Sequence, residues 1–140
     1  MSPEESPLDH PDLIKAAREG VKALIPSWDG NEADRAEEIM QHAENDLIAH
    51  LEKEDMTQAA FVIACMQYLI QNYLFEDASA WHSWGAALIR YGERTKDVEE
   101  KLQCFQRACE KCEEATQIAP SFAIAWINWG SALNQCGNRT

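Results

Sequence analysis

The chain has 140 residues, of which 46% are hydrophobic and 26% charged, and it carries a net charge of −12 at pH 7. That length suits a single domain with a real core, and the acidic balance disfavours nucleic acid and anionic membrane as partners. Five cysteines, an odd number, argue for reduced thiols rather than a disulfide frame.

The charge is unevenly placed. Residues 1–77 hold 17 acids and 5 bases, whereas 78–140 hold 7 of each. A basic partner is therefore allowed, although a solvated acidic face is the commoner reason for such a balance. No secretory signal is visible at the N-terminus. The most apolar run, Phe61 to Phe75, is short for a membrane span and is broken by Gln67, Gln71 and Asn72. A soluble, cytoplasmic protein with no membrane partner is the expectation.

Met1 to Leu8 is polar, with Pro3 and Pro7, and reads as a disordered tail (1–8). An acidic helical region, 9–77, follows and is expected to pack on the rest of the chain. His10-Pro11-Asp12 opens its first helix, with proline suited to the first turn. Leu13, Ala17, Val21 and Leu24 make one apolar stripe. Pro26 ends that helix, Ser27 to Gly30 is a turn, and Asn31 is placed to cap the next. Ala36, Ile39, Ala43, Leu47 and Leu51 mark the buried face of this second helix as far as Lys53. Thr57 to Leu74 is a third helix, apolar on most sides, which places it at the centre of the fold.

The fourth helix is expected over 78–91. Asp97-Val98-Glu99-Glu100 is a capping-box pattern that starts the longest helix, about 97–118. Val98, Leu102, Phe105, Cys109, Cys112 and Thr116 supply its helical periodicity. Pro120 closes it, and Ser121 is placed to cap a last helix that fades at Gly137. No strand-like alternation occurs, so the fold class is all-α, with about six helices.

The most informative pattern lies in this second half. Ala-Trp-His-Ser-Trp-Gly-Ala-Ala-Leu at 80–88 is echoed by Ala-Trp-Ile-Asn-Trp-Gly-Ser-Ala-Leu at 125–133. Trp81 pairs with Trp126, Trp84 with Trp129, Gly85 with Gly130, and Gly92 with Gly137, each pair 45 residues apart. A fixed period marks a repeat architecture. The segment 78–140 resembles the tetratricopeptide repeat family, with Ala108, Ala115 and Pro120 where that family has its small residues and closing proline. It spans a complete repeat, 78–120, and a half repeat, 121–140. It departs from the family in its period, which is usually about 34 residues, and in tryptophan replacing leucine at Trp84 and Trp129. The resemblance implies antiparallel helix hairpins stacked as a right-handed solenoid.

It also implies a division of labour. Trp81, Trp84, Gly85, Ala108, Ala115, Pro120, Trp126, Trp129 and Gly130 form the structural core of the repeat. The glycines let a neighbouring backbone approach. The partner-binding groove is lined by Ser79, His82, Ser83, Ala86, Ile89 and Arg90 in the first copy. In the second copy it is lined by Ile124, Ile127, Asn128, Ser131 and Gln135. Some members clamp a partner's terminal carboxylate from such positions. Asn128 matches one of those places, but His82 and Ala86 stand where a lysine and an asparagine would be expected. The implied ligand is a protein or peptide, as a basic or amphipathic segment. Stretched repeats with a long second helix also occur in the plant mitochondrial import receptor that reads basic presequences, a weaker resemblance.

Catalytic and metal readings find less support in the residues. Cys104, Cys109 and Cys112 have a spacing similar to that of iron–sulfur ligands, but they lie in a strongly helical segment where the first two diverge by about 140°. Buried cysteine behaves as a small hydrophobe. His10, His42, His50 and His82 form no ligand pair one turn apart, and Glu37, Glu38, Glu44 and Asp46 read as a solvated helix face. No phosphate loop or nucleophile elbow is present. The expectation is a non-enzymatic interaction module with no cofactor and no metal, the alternative being a self-assembling scaffold and a remote alternative being a redox or metal protein that uses the clustered cysteines. For that alternative, the last helix, Ser121 to Cys136, is apolar over more than one stripe. If the chain ends at Thr140, a homodimer through this helix is expected.

Overall fold

The computed structural model describes residues 7–25 and 32–137. Among them the chain is all-helical, with six α-helices and no strand. A 3-10 turn, Pro7–Asp9, precedes α1 (Pro11–Leu24), α2 (Glu32–Glu52), α3 (Met56–Asn72), α4 (Ala78–Arg94), α5 (Val98–Ile118) and α6 (Ala123–Gly137). The helices fall into two compact units, Met1–Phe75 and Glu76–Thr140. The closing Pro26, the turn at 27–30 and the Asn31 cap inferred from sequence lie outside the described residues, as do residues 1–6 of the tail.

The first unit is built around α3. α1 and α2 each pack on it, and the 3-10 turn rests on α1 and α3. Leu8, assigned by sequence to the tail, is instead buried in that turn, because an apolar side chain next to a core gains by entering it. The His10 ring accepts the Asp12 amide at 3.2 Å and caps α1, with Pro11 in its first turn. The buried positions of α1 are Ala17 and Val21, continued by Ile25. Leu24, expected on this stripe, is 49% exposed; a spacing of four residues from Val21 reaches Ile25 and leaves Leu24 turned away.

A similar one-residue adjustment occurs in α2, where Met40 is buried and Ile39 only half-buried beside Ala36, Ala43, Leu47 and Leu51. Its C-terminus turns at Glu54, whose φ of 58° is left-handed. The Asp55 amide then donates to the His50 carbonyl at 2.9 Å, and the Asp55 carboxylate accepts the Gln58 amide to start α3. Eight residues of α3, from Ala59 to Ile70, are buried, as a helix covered on two flanks requires.

The second unit is a three-helix arrangement in which α5 packs against α4 and α6, and α6 also touches α4. Asp77 caps α4 through bonds from the Ser79 and Ala80 amides, and Asp97 caps α5 through the Glu99 and Glu100 amides. α4 runs to Arg94, three residues beyond its expected end at 91. Gly92 does not stop it, because this glycine lies beneath α5: a Cβ there would meet Cys104 and Phe105 at 3.0 Å. The 45-residue spacing is therefore taken up by helix rather than loop, with only residues 95–97 joining α4 to α5. α6 begins at Ala123, one residue later than a Ser121 cap would place it. The Phe122 amide donates to the Ala119 carbonyl in the preceding turn.

Candidate functional site

α4 and α6 present the residues that the repeat pattern assigns to a groove. On α4, Ser79 and Arg90 are exposed, His82, Ser83 and Ala86 are half-buried, and Ile89 is buried at 8% exposure. Ile89 therefore offers its surface to neighbouring side chains and little to a ligand. On α6, Ile124, Ile127 and Ser131 are exposed, while Asn128 and Gln135 are half-buried. One contact joins the two sides. The Asn128 Nδ2 and His82 Nε2 atoms lie 2.6 Å apart. With Asn128 donating, the ring accepts as the neutral tautomer protonated on Nδ1. The same imidazole tilts against the Phe122 ring at 5.4 Å, so its place is fixed from two directions.

Around this contact the surface is mixed. Ile124 is 48% exposed and Ile127 67% exposed, and the hydroxyls of Ser79 and Ser131 and the Arg90 guanidinium stand at accessible positions. Such a set can cover an apolar side chain and hydrogen-bond to a few polar groups.

The tryptophans repeat in local geometry but not in environment. Trp81 and Trp84 stack at 5.3 Å with an interplanar angle of 30°, and Trp126 and Trp129 stack at 5.3 Å and 27°. Trp84 is 4% exposed, with the Lys111 ammonium 4.3 Å from its ring centroid. Burial pushes the pKa of Lys111 down despite the adjacent Glu110. Trp126 is 48% exposed, its indole N–H donating to the Pro120 carbonyl at 2.8 Å, and Trp129 is half-buried. Gly85 lies so close to α5 that a Cβ would stand 2.7 Å from Cys112 Sγ, whereas Gly130 has nothing within 4 Å. The core role inferred for Trp84, Gly85, Ala108 and Ala115 coincides with burial. Pro120, Trp126 and Gly130 are exposed instead. The physical reason is plain: α5 covers α4, and among the described residues no helix follows α6 to cover it in turn.

The cysteines sit on helices with free thiols. Cys104 and Cys112 are buried against α4, and Cys109 lies beside Cys136. Burial pushes the Cys112 and Cys65 thiols up to about 11. Burial, and then Cys136, push Cys109 up to about 12. Thiols held protonated in this way are weak nucleophiles. No group of three or more His, Cys, Asp or Glu side chains among the described residues is placed to hold a metal ion, and no described helix is long and apolar enough to cross a membrane.

One polar cluster escaped the sequence. Glu100, expected to serve the capping box, is buried at 8% exposure and accepts a hydrogen bond from the Thr95 hydroxyl, itself buried. Burial, then the Glu100 carboxylate and Cys104, raise the Tyr91 phenol above its ordinary value. The only sequence signal was a glutamate three residues after a capping aspartate, which marks a helix start and not a buried network. Comparison with known proteins leaves the functional reading to this geometry: no family model, no curated protein and no solved structure matches the chain.

Proposed function

We propose that this protein is a non-enzymatic interaction module with a tetratricopeptide-like helical arrangement, binding a peptide or helical segment on the surface shared by α4 and α6. The observation that carries this reading is the pair of exposed isoleucines, Ile124 and Ile127, beside the hydrogen-bonded His82 and Asn128. Exposed apolar side chains grouped with ordered polar ones mark recognition surfaces rather than ordinary solvent-facing helix. The order of α4, α5 and α6, with α6 touching both predecessors, suits one and a half stretched repeats. The partner is an amphipathic segment, and basic residues on it are favoured by the molecule's net charge of −12, carried by residues 1–77, which speeds encounter with cations without forming part of this face.

A displayed library of random peptides, panned on the intact chain, tests this. Amphipathic basic sequences are expected to be enriched, with affinity reduced about tenfold or more by Ile127→Asp, which removes an exposed apolar anchor, and by Ile124→Lys, which removes another and adds a like charge. Enriched peptides that bind both variants as well as the parent would refute the assignment of the surface.

A second reading is self-assembly. Trp126 and Leu133 are 48% and 54% exposed on the same helix as Ile127, and a second copy would cover them through a self-complementary contact. Light scattering at tens of micromolar separates the readings: a dimer broken by Trp126→Glu supports assembly, and a monomer unaffected by it opposes assembly.

A further inference from the structure

The first unit contains a cleft between α1 and α3 with a volume of about 360 Å³. α1 contributes Ile14 and Arg18, and α3 contributes Ala64, Gln67, Tyr68, Gln71 and Asn72. Gln67 and Gln71 are one helical turn apart and so share a wall. The Asn72 amide is tied back by a 2.9 Å bond to the Tyr68 carbonyl. The Tyr68 ring is steadied edge-on by Tyr73 at 6.3 Å. An apolar surface made by Ile14, Ala64 and the Tyr68 ring thus stands beside three amides and one guanidinium.

The charge of this lining is distinctive for its setting. Residues 1–77 hold 17 acids and 5 bases, yet among the described residues no acid lines the cleft and one of those few bases does. Among the described residues no ion pair to Arg18 is found. Guanidinium presents a planar fork that matches a carboxylate with two parallel bonds. A dianion such as a phosphate monoester would bring two charges into a strongly acidic unit against one cation, so a monoanion is the better match. The volume lies near the lower end of small-molecule sites, roughly 300–1,000 Å³, which suits a compact ligand.

From these features we infer that the α1–α3 cleft binds a small carboxylic acid with a short apolar or aromatic body. Arg18 receives the carboxylate, the Gln67 and Gln71 amide N–H groups donate to its remaining lone pairs, and Ile14, Ala64 and Tyr68 cover the apolar body. The site belongs to the first unit and is independent of the peptide surface proposed on α4 and α6, so either can fail alone.

The test is an NMR titration of the intact, isotope-labelled chain with phenylacetate. Saturable shifts are expected at the Arg18 Nε–H and at the Gln67 and Gln71 side-chain amides. Phenylacetamide, which lacks the charge, and the Arg18→Gln variant should each weaken binding about tenfold or more. Arg18→Lys should fall between, because it keeps the charge and loses the fork. Arg18 is exposed, so an unchanged amide spectrum of the free variant is expected and confirms its fold. Gln67→Glu provides a second variant, expected to weaken binding by placing an acid beside the carboxylate. The inference is overturned by the absence of saturable shifts up to about 10 mM, or by equal binding to parent and Arg18→Gln. Phenyl phosphate binding more tightly than phenylacetate would overturn the monoanion. A phenylalanine-ended peptide with a free carboxyl terminus, binding tenfold tighter than phenylacetate, would overturn the small acid in favour of a chain end.

Discussion

Gly85 and Gly130 occupy equivalent places in the repeated motif, yet the physics at each is opposite. At Gly85 an added methyl would stand 2.7 Å from Cys112 Sγ and 3.4 Å from the Ala108 carbonyl oxygen. The nearer atom is on a buried side chain of a packed helix, so α4 and α5 would have to separate. Gly85→Ala should therefore cost about 1–3 kcal/mol, as overpacking does. At Gly130 nothing lies within 4 Å, and alanine is the better helix former, so Gly130→Ala should gain up to about 1 kcal/mol. Chemical denaturation of the two variants checks the pair. Equal destabilisation would mean that the α6 face is covered by something the described residues do not supply.

The thiols make a second prediction at the same scale. Cys112 and Cys65 rise from an ordinary 9.0 to about 11, and Cys109 rises to about 12, with burial the leading cause in each. In the window from 9 upward the folded state therefore holds protons that the unfolded chain has released. The associated stability is complete below pH 9 and is lost as pH climbs through about 11. Lys111, lowered by burial, works the other way between its folded value and 10.5. The three thiols and Tyr91 act together against it. The urea midpoint should fall between pH 8 and pH 10.5, and Cys112→Ala, although less stable overall, should show a shallower fall. An unchanged slope in that variant would contradict the attribution.

At the scale of elements, the six helices were legible from their apolar spacing and, at α1 and α5, from their start signals, whereas the caps at Asp55 and Asp77 were not read from the sequence. Asp55, Asp77 and Asp97 each accept amides at the start of a helix, and His10 does the same for α1. Exact phase was less legible. Leu24 and Ile39 compete with Ile25 and Met40 for the same stripe, and neighbouring apolar residues differ by only 100° around a helix, so packing decides between them. Gly92 shows a deeper limit, since one glycine reads equally as a helix terminator or as the point where another helix crosses. Glu54 was not legible as a left-handed residue at all. Its φ of 58° disfavours any side chain, and glycine relieves that strain. Glu54→Gly should raise stability by roughly 0.5–1 kcal/mol after the added freedom of the unfolded chain is counted. Thermal melting of that variant checks it, and a lower midpoint would show that the Glu54 side chain contributes more than the turn costs.

At the scale of the molecule, the repeat pattern named positions that fall on α4 and α6 but could not give each position its exposure. Equal residues 45 positions apart acquire unequal burial because α4 is followed by a covering helix and α6, among the described residues, is not. The cleft between α1 and α3 left no pattern in the sequence, since its lining comes from two helices, its nearest members across the cleft, Arg18 and Ala64, standing 46 positions apart with no shared motif. Charge was legible only as a balance: 17 acids in residues 1–77 say what kind of partner is drawn near, not where it docks.

The central claim is that the face shared by α4 and α6 receives a basic, amphipathic segment. It is tested most directly by following the backbone amides of the intact chain while a peptide selected on it is added. The account predicts saturable shifts concentrated at Ser79, His82, Ser83 and Arg90 on α4 and at Ile124, Ile127, Asn128 and Ser131 on α6, abolished by Ile127→Asp. Saturable shifts confined to residues outside α4 and α6, or a titration that Ile127→Asp leaves unchanged, would contradict it.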